Sequence, residues 1–124
     1  MIDHIGLTVA DYERSKAFYA KALAPLGYAL IMEVTEAGPW VGFGVGGKPD
    51  FWLGQGEATA PRLHVAFRAQ DRAAVRAFYE AAIKAGAGDN GPPGLRPEYH
   101  PDYYGAFVLD PDGHNIEAVC HHPE

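Results

Sequence analysis

Residues 63–83, LHVAFRAQDRAAVRAFYEAAI, lie over residues 3–23, DHIGLTVADYERSKAFYAKAL, without a gap at an offset of 60. His4 meets His64, Asp11 meets Asp71, the triplet Ala17-Phe18-Tyr19 meets Ala77-Phe78-Tyr79, Ala22 meets Ala82 and Leu23 meets Ile83. Self-similarity at a fixed period sets the architecture before any single element is assigned. Two copies imply paired modules rather than a solenoid.

Each copy opens with a short strand, Ile2 to Val9 or Leu63 to Ala69, followed by an acidic or amide residue placed to start a helix. In the first copy Tyr12, Ser15, Phe18, Tyr19, Ala22, Leu23 and Leu26 recur at helical spacing, and Gly27 closes the run. In the second, Val75, Phe78, Tyr79, Ala82 and Ile83 do so before Gly86. Three weaker strand signals follow each helix: Tyr28 to Val34, Trp40 to Val45 and Asp50 to Leu53, then about Arg96 to His100, Ala106 to Leu109 and Asn115 to Val119. Each half therefore reads βαβββ, an α+β class of fold. GQGEATAP, Gly54 to Pro61, reads as the link, so module one spans 1–54, the linker 55–61 and module two 62–124 of a single domain. GAGDNGPPG, Gly86 to Gly94, reads as a turn-rich loop, because its glycines and prolines exclude a helix and a central strand.

A chain of 124 residues suits one domain with a real core. Its formal net charge of −6, with no cluster of Lys or Arg, argues against nucleic acid or an anionic membrane surface as partner. No apolar run approaches the roughly 18 residues a membrane span needs, and MIDHIGLTV carries no basic segment before an apolar one. These features lead us to expect a cytoplasmic protein. The lone cysteine, Cys120, fits a reducing compartment and reads as a small strand-end hydrophobe.

In DPDGHNIEAV, Asp110 to Val119, one carboxylate sits inside an apolar run. Strand alternation puts Asn115, Glu117 and Val119 on one face and Ile116 and Ala118 on the other. A carboxylate out of water needs a hydrogen bond, a counter-charge or a metal, so either that face is wet or Glu117 has a partner. His4 and His64 stand at matching repeat positions, and a pseudo-twofold packing of the halves would bring them toward each other. Neutral imidazole is the commonest metal-ligating side chain, and two His with one carboxylate leave open positions for substrate or oxygen. His114, in the last turn, reads as solvated, and His121 and His122 as part of a frayed end.

DHIGLTVADYERSKAFYAKAL, the repeated LHVAF, and FVLDPDGHNIEAV resemble the vicinal oxygen chelate superfamily, which includes glyoxalase I, extradiol dioxygenases, fosfomycin-resistance transferases and bleomycin-resistance proteins. The resemblance covers essentially the whole chain. It implies two βαβββ modules forming a curved mixed sheet that cups a divalent metal (Zn, Fe, Mn or Ni), with His4, His64 and Glu117 as ligands. Glyoxalase I takes a further glutamate from the last strand of its first module. Here that strand reads PDFWLG, and aligning Phe51-Trp52-Leu53 with Ile116-Glu117-Ala118 puts Trp52 in its place, an indole with no metal-binding lone pair. The resemblance thus favours a lyase- or dioxygenase-like enzyme acting on a compact substrate with vicinal oxygens over glyoxalase I chemistry. A metal-free binding protein of the bleomycin-resistance type is the alternative. In EYHPDYYGAF, His100, Tyr103 and Tyr104 are candidates for proton transfer, and Trp40, Phe43 and Trp52 for an aromatic pocket wall. Relatives of this fold commonly dimerise, and open sheet edges need cover, so a homodimer is expected.

Overall fold

The computed structural model describes residues 1–124. Module one runs β1 (Ile5–Val9), α1 (Tyr12–Ala22), a short 3-10 turn (Ala24–Leu26), β2 (Ala29–Val34), β3 (Trp40–Val45) and β4 (Lys48–Gln55). Module two repeats this order as β5 (His64–Arg68), α2 (Arg72–Lys84), β6 (Gly88–Leu95), β7 (Tyr104–Leu109) and β8 (Asn115–Cys120). The chain is therefore two βαβββ modules. Their four-stranded sheets have orders β1-β4-β3-β2 and β5-β8-β7-β6, each mixed because the β1/β4 and β5/β8 pairs are parallel while the others are antiparallel. No helix is long and apolar enough to cross a membrane.

The repeated aspartates start both helices. Asp11 Oδ1 accepts the backbone N–H of Arg14 at 3.1 Å, and Asp71 Oδ1 that of Ala74 at 2.8 Å, each satisfying one amide of a first turn that has no partner within its helix. Alternate strand residues then face the helices. Leu7, Val9, Val41, Phe43, Phe51 and Leu53 of one sheet and Phe67, Ala106, Val108, Ile116 and Ala118 of the other join the helix residues in one continuous core. Tyr28 and Phe51 both meet Phe67 edge-on, at 5.3 and 5.2 Å between centroids, so aromatic packing ties module one to module two.

A buried polar lock also crosses the modules. Tyr19 of α1, fully buried, donates its hydroxyl to Asp110 Oδ2, while Asp110 Oδ1 accepts the amides of Asp112 and His114 at 3.0 and 2.8 Å. His114 Nδ1 accepts the amide of Leu63 at 2.9 Å. His114, read from the sequence as solvated, is instead among the most buried side chains, because it joins the last turn to the lead-in of β5. Burial, reinforced by the Asp110 charge, pushes the Tyr19 phenol well above its ordinary pKa.

The stretch read as a loop, Gly86 to Gly94, is largely strand. β6 occupies Gly88–Leu95 at the edge of its sheet, and the register slips between Asp89 and Gly91 and again between Gly91 and Gly94. Pro92 and Pro93 fall inside the second slip. An edge strand with bulges does not need every N–H, so two prolines are tolerated there and would not be in a central strand. Residues 96–100, expected to supply a strand, belong to a turn spanning 96–103, in which Arg96 N–H bonds Tyr103 O at 2.7 Å.

Candidate functional site

The faces turned away from the helices are built differently in the two modules. In module one, Gly6 pairs with Trp52 across β1/β4, and Trp52 with Gly42 across β4/β3. A Cβ at Gly42 would lie 2.9 Å from the Trp52 indole, and one at Gly54 would run into the Trp40 indole. Glycine is required because the rings lie against the sheet backbone. The result is a flat aromatic wall on an open cavity of about 650 Å³, rimmed by His4, Val34, Lys48 and Pro49. Lys48 is held by Asp3 at 3.0 Å, and that contact keeps the Asp3 carboxyl below its ordinary pKa. Phe43, expected on this wall, is fully buried in the core, since alternation along β3 sends Trp40 and Gly42 outward and Val41 and Phe43 inward.

In module two the corresponding face is polar. Glu117 pairs with Ala66 on β5 and Phe107 on β7, and its side chain is fully buried. Neither oxygen is left bare: Oε1 lies 2.7 Å from His64 Nε2, and Oε2 accepts the Tyr103 hydroxyl. Gly105 makes this possible, because its missing side chain leaves room for Tyr103 and the carboxylate, at 3.2 and 3.3 Å from where a Cβ would stand. Burial first, and the hydrogen bond to Glu117 second, raise the Tyr103 phenol far above its usual pKa, so this hydroxyl keeps its proton and acts as a donor. His64 stays about half exposed and presents its other edge outward.

The structure thus joins His64, Glu117 and Tyr103 and separates them from His4, which is exposed, near Asp3 at 3.8 Å, on the rim of the tryptophan face. His100 does not touch Glu117; its Nε2 lies 2.6 Å from His121 Nδ1, and its ring stands edge-on to Tyr103. Tyr104 points to the other side of β7, where the guanidinium of Arg72 lies over its ring at 5.1 Å and Arg76 bonds its hydroxyl at 3.3 Å. Tyr104 therefore buttresses α2 rather than the Glu117 face. Three contributors escape sequence reasoning: Gly105 and Gly42, whose need appears only once the rings are placed, and His121, whose partner lies 21 residues away with no periodic signal.

As to a metal ion, one chain supplies two clustered donors, His64 and Glu117, and no group of three or more His, Cys, Asp or Glu side chains is positioned to hold one. A catalytic ion takes about three protein ligands and an open position. A single chain therefore does not fit the metal on its own.

This paired βαβββ architecture, with a carboxylate on the last strand and a histidine opening each module, defines a class. The chain belongs to the Glyoxalase/Bleomycin resistance protein/Dioxygenase superfamily, whose model matches residues 1–118. Among solved structures it is similar to a glyoxalase/bleomycin resistance protein from Albidiferax ferrireducens T118, with 28% identity, a TM-score of 0.77 and 98% of each chain covered. A glyoxalase/bleomycin resistance protein/dioxygenase family enzyme from Burkholderia phytofirmans PsJN shares the fold at 19% identity and a TM-score of 0.72, again over 98% of both chains. A V278E variant of glyoxalase I from Zea mays does so at 20% identity and 0.72, over 99% of this chain and 45% of that one. No curated protein matches the chain.

Proposed function

We propose that the chain is a small cytoplasmic enzyme of lyase or dioxygenase type that acts, as a homodimer, on a compact substrate with adjacent oxygens. The observation that carries this reading is the buried Glu117, gripped by His64 and Tyr103 on an open face. A carboxylate and an imidazole at 2.7 Å form two thirds of a His₂-carboxylate set, and His4, exposed on the equivalent face of module one, is the missing third. A second copy bringing its His4 to this pair would complete it. An ion held there would act as a Lewis acid toward the substrate oxygens. The chain's own groups have separate tasks: Tyr103 fixes the carboxylate, Glu117 orients His64, and Trp40 and Trp52 hold the apolar part of the substrate.

A second reading is a metal-free protein that sequesters a flat aromatic molecule. It is favoured by Trp52 standing where a carboxylate would otherwise stand and by the flat wall it forms with Trp40. Elemental analysis of protein purified without chelators, followed by titration with Zn²⁺, Ni²⁺, Mn²⁺ and Fe²⁺, separates the two. About one ion per chain, lost in His4→Ala, supports the enzyme; no uptake of any of the four, with tight binding of an aromatic ligand, replaces it with the binder.

A further inference from the structure

His100 and His121 form a hydrogen-bonded pair whose proton positions are dictated by their surroundings. His100 Nδ1 accepts the backbone N–H of Asp102 at 3.1 Å, so the neutral ring carries its proton on Nε2. That N–H points at His121 Nδ1, 2.6 Å away, which must then accept. The rings stack at 4.8 Å and 25°, and both meet the Tyr103 ring edge-on, at 5.6 and 5.3 Å. Tyr99 closes on the same ring at 4.9 Å. Tyr103 in turn reaches Glu117 through its hydroxyl.

We propose that the His100–His121 pair is a pH-sensitive latch that positions Tyr103 against Glu117, closed while both imidazoles are neutral and opened when either takes a proton. Protonation converts an accepting ring nitrogen into a donor. On His100 the new N–H would face the Asp102 N–H; on His121 it would face the His100 Nε2–H. Either event turns a hydrogen bond into donor against donor. Of the ordinary side chains, histidine is the one suited to change charge near neutrality.

The other titratable and charged groups around the pair are largely engaged. Tyr99 and Tyr103 contribute their rings. The Asp102 carboxylate lies 3.8 Å from Arg72 of α2, and Arg72 Nε also donates to His122 O at 3.2 Å. The Cys120 thiol accepts the His122 amide at 3.4 Å, and Arg76 of α2 meets Glu124 at 3.4 Å. Of the turn and the chain end, the paired imidazoles are thus the members whose mutual contact is between two titrating groups. His100 and His121 are positioning residues: they act through Tyr103 and do not touch Glu117 themselves.

The test needs neither ligand nor metal, so it stands apart from the proposed activity. Nitrogen-15 NMR of the histidine rings at pH 8 should find the proton on Nε2 in both. Lowering the pH to 5 should shift the Tyr103 Cζ carbon-13 signal, assigned with Tyr103→Phe, with the same midpoint as the two rings. His121→Phe, at an exposed position, keeps the stacking but offers no acceptor and should show the acid-form Tyr103 signal already at pH 8. His121→Asn restores an acceptor and should return that signal to the wild-type position at pH 8. A Tyr103 signal unmoved between pH 8 and 5 while both rings titrate, or unmoved by His121→Phe, would overturn the latch.

Discussion

Trp52 and Glu117 occupy the same place in their modules: Trp52 lies across the parallel pair from Gly6, and Glu117 across the parallel pair from Ala66, the repeat equivalent of Gly6. One position thus carries an indole on an apolar wall and a buried carboxylate on a polar one. Restoring the symmetry is the most direct probe of the site. Trp52→Glu should tighten divalent-metal binding by about tenfold or more, by analogy with the 10–100-fold effects of groups around metal centres, and should weaken any aromatic ligand of the tryptophan wall. Isothermal titration with Zn²⁺ and Ni²⁺ checks it; unchanged affinity means that this position does not face the ion.

Removing the carboxylate or the imidazole tests the other face. Glu117→Ala and His64→Ala should each lower metal affinity by more than the roughly 10–100-fold expected for a group that only supports a ligand. Tyr103→Phe should cost about 1–3 kcal/mol in urea unfolding, because it leaves a fully buried carboxylate oxygen without its donor. Wild-type stability in Tyr103→Phe would mean that water replaces the hydroxyl freely.

Alkaline pH should destabilise the protein through its buried tyrosines. Burial pushes Tyr28 up to about 12, with Asp50 adding to the shift, and Tyr19 well above the ordinary tyrosine range. The folded state binds these protons more tightly than the unfolded chain, so their contribution is complete below the unfolded tyrosine pKa and is lost as pH rises through the folded values. The urea midpoint should hold steady to about pH 9 and fall from about pH 10 upward. Tyr19→Phe should flatten that fall while lowering stability at pH 7 by about 1–3 kcal/mol, since Asp110 loses a buried donor. A midpoint level to pH 11, read alongside tyrosinate absorbance, would contradict the assignment.

The glycine under Trp40 should be intolerant of even a methyl group. Gly54→Ala places a Cβ into the indole, so the ring must tilt off the sheet, and overpacking of this kind costs about 1–3 kcal/mol. Tryptophan emission should shift to the red as the ring meets water. Wild-type emission and stability together would show that the wall is not set by this contact.

Assembly is checked by light scattering across a wide concentration range. A homodimer mass, and complementation between His4→Ala and Glu117→Ala chains mixed in one solution, are the expected outcomes. A monomer mass throughout leaves His4 with no route to the other two groups.

The two-module fold was readable because helix starts, core periodicity and the paired histidines all repeat at one offset, and repetition exposes architecture without needing any long-range contact. The meaning of DPDGHN was harder to read. Its aspartate and histidine are buried against Tyr19 and Leu63, residues 91 and 51 positions away, and nothing local announces a partner at that distance. Phe43 and Tyr104 have simpler explanations: positions 40 and 43 fall on opposite faces of a regular strand, so Phe43 cannot share the Trp40 wall, and Tyr104 is the first residue of β7 rather than a loop residue, which fixes its face. The β6 edge escaped because proline and glycine argue against strands in general, whereas bulged edges are where they are admitted.

That β6 edge has a further consequence for how copies of the chain can meet. A free strand edge invites any other strand to extend its sheet, the first step toward runaway aggregation. Pro92 and Pro93 withdraw two N–H groups from the rim, and the slips around Gly91 bend what remains. A neighbouring chain cannot zip along it. Growth of fibres from module two is obstructed on that side, and orderly association is steered to the edges at β1 and β5, whose pairings run without a register slip.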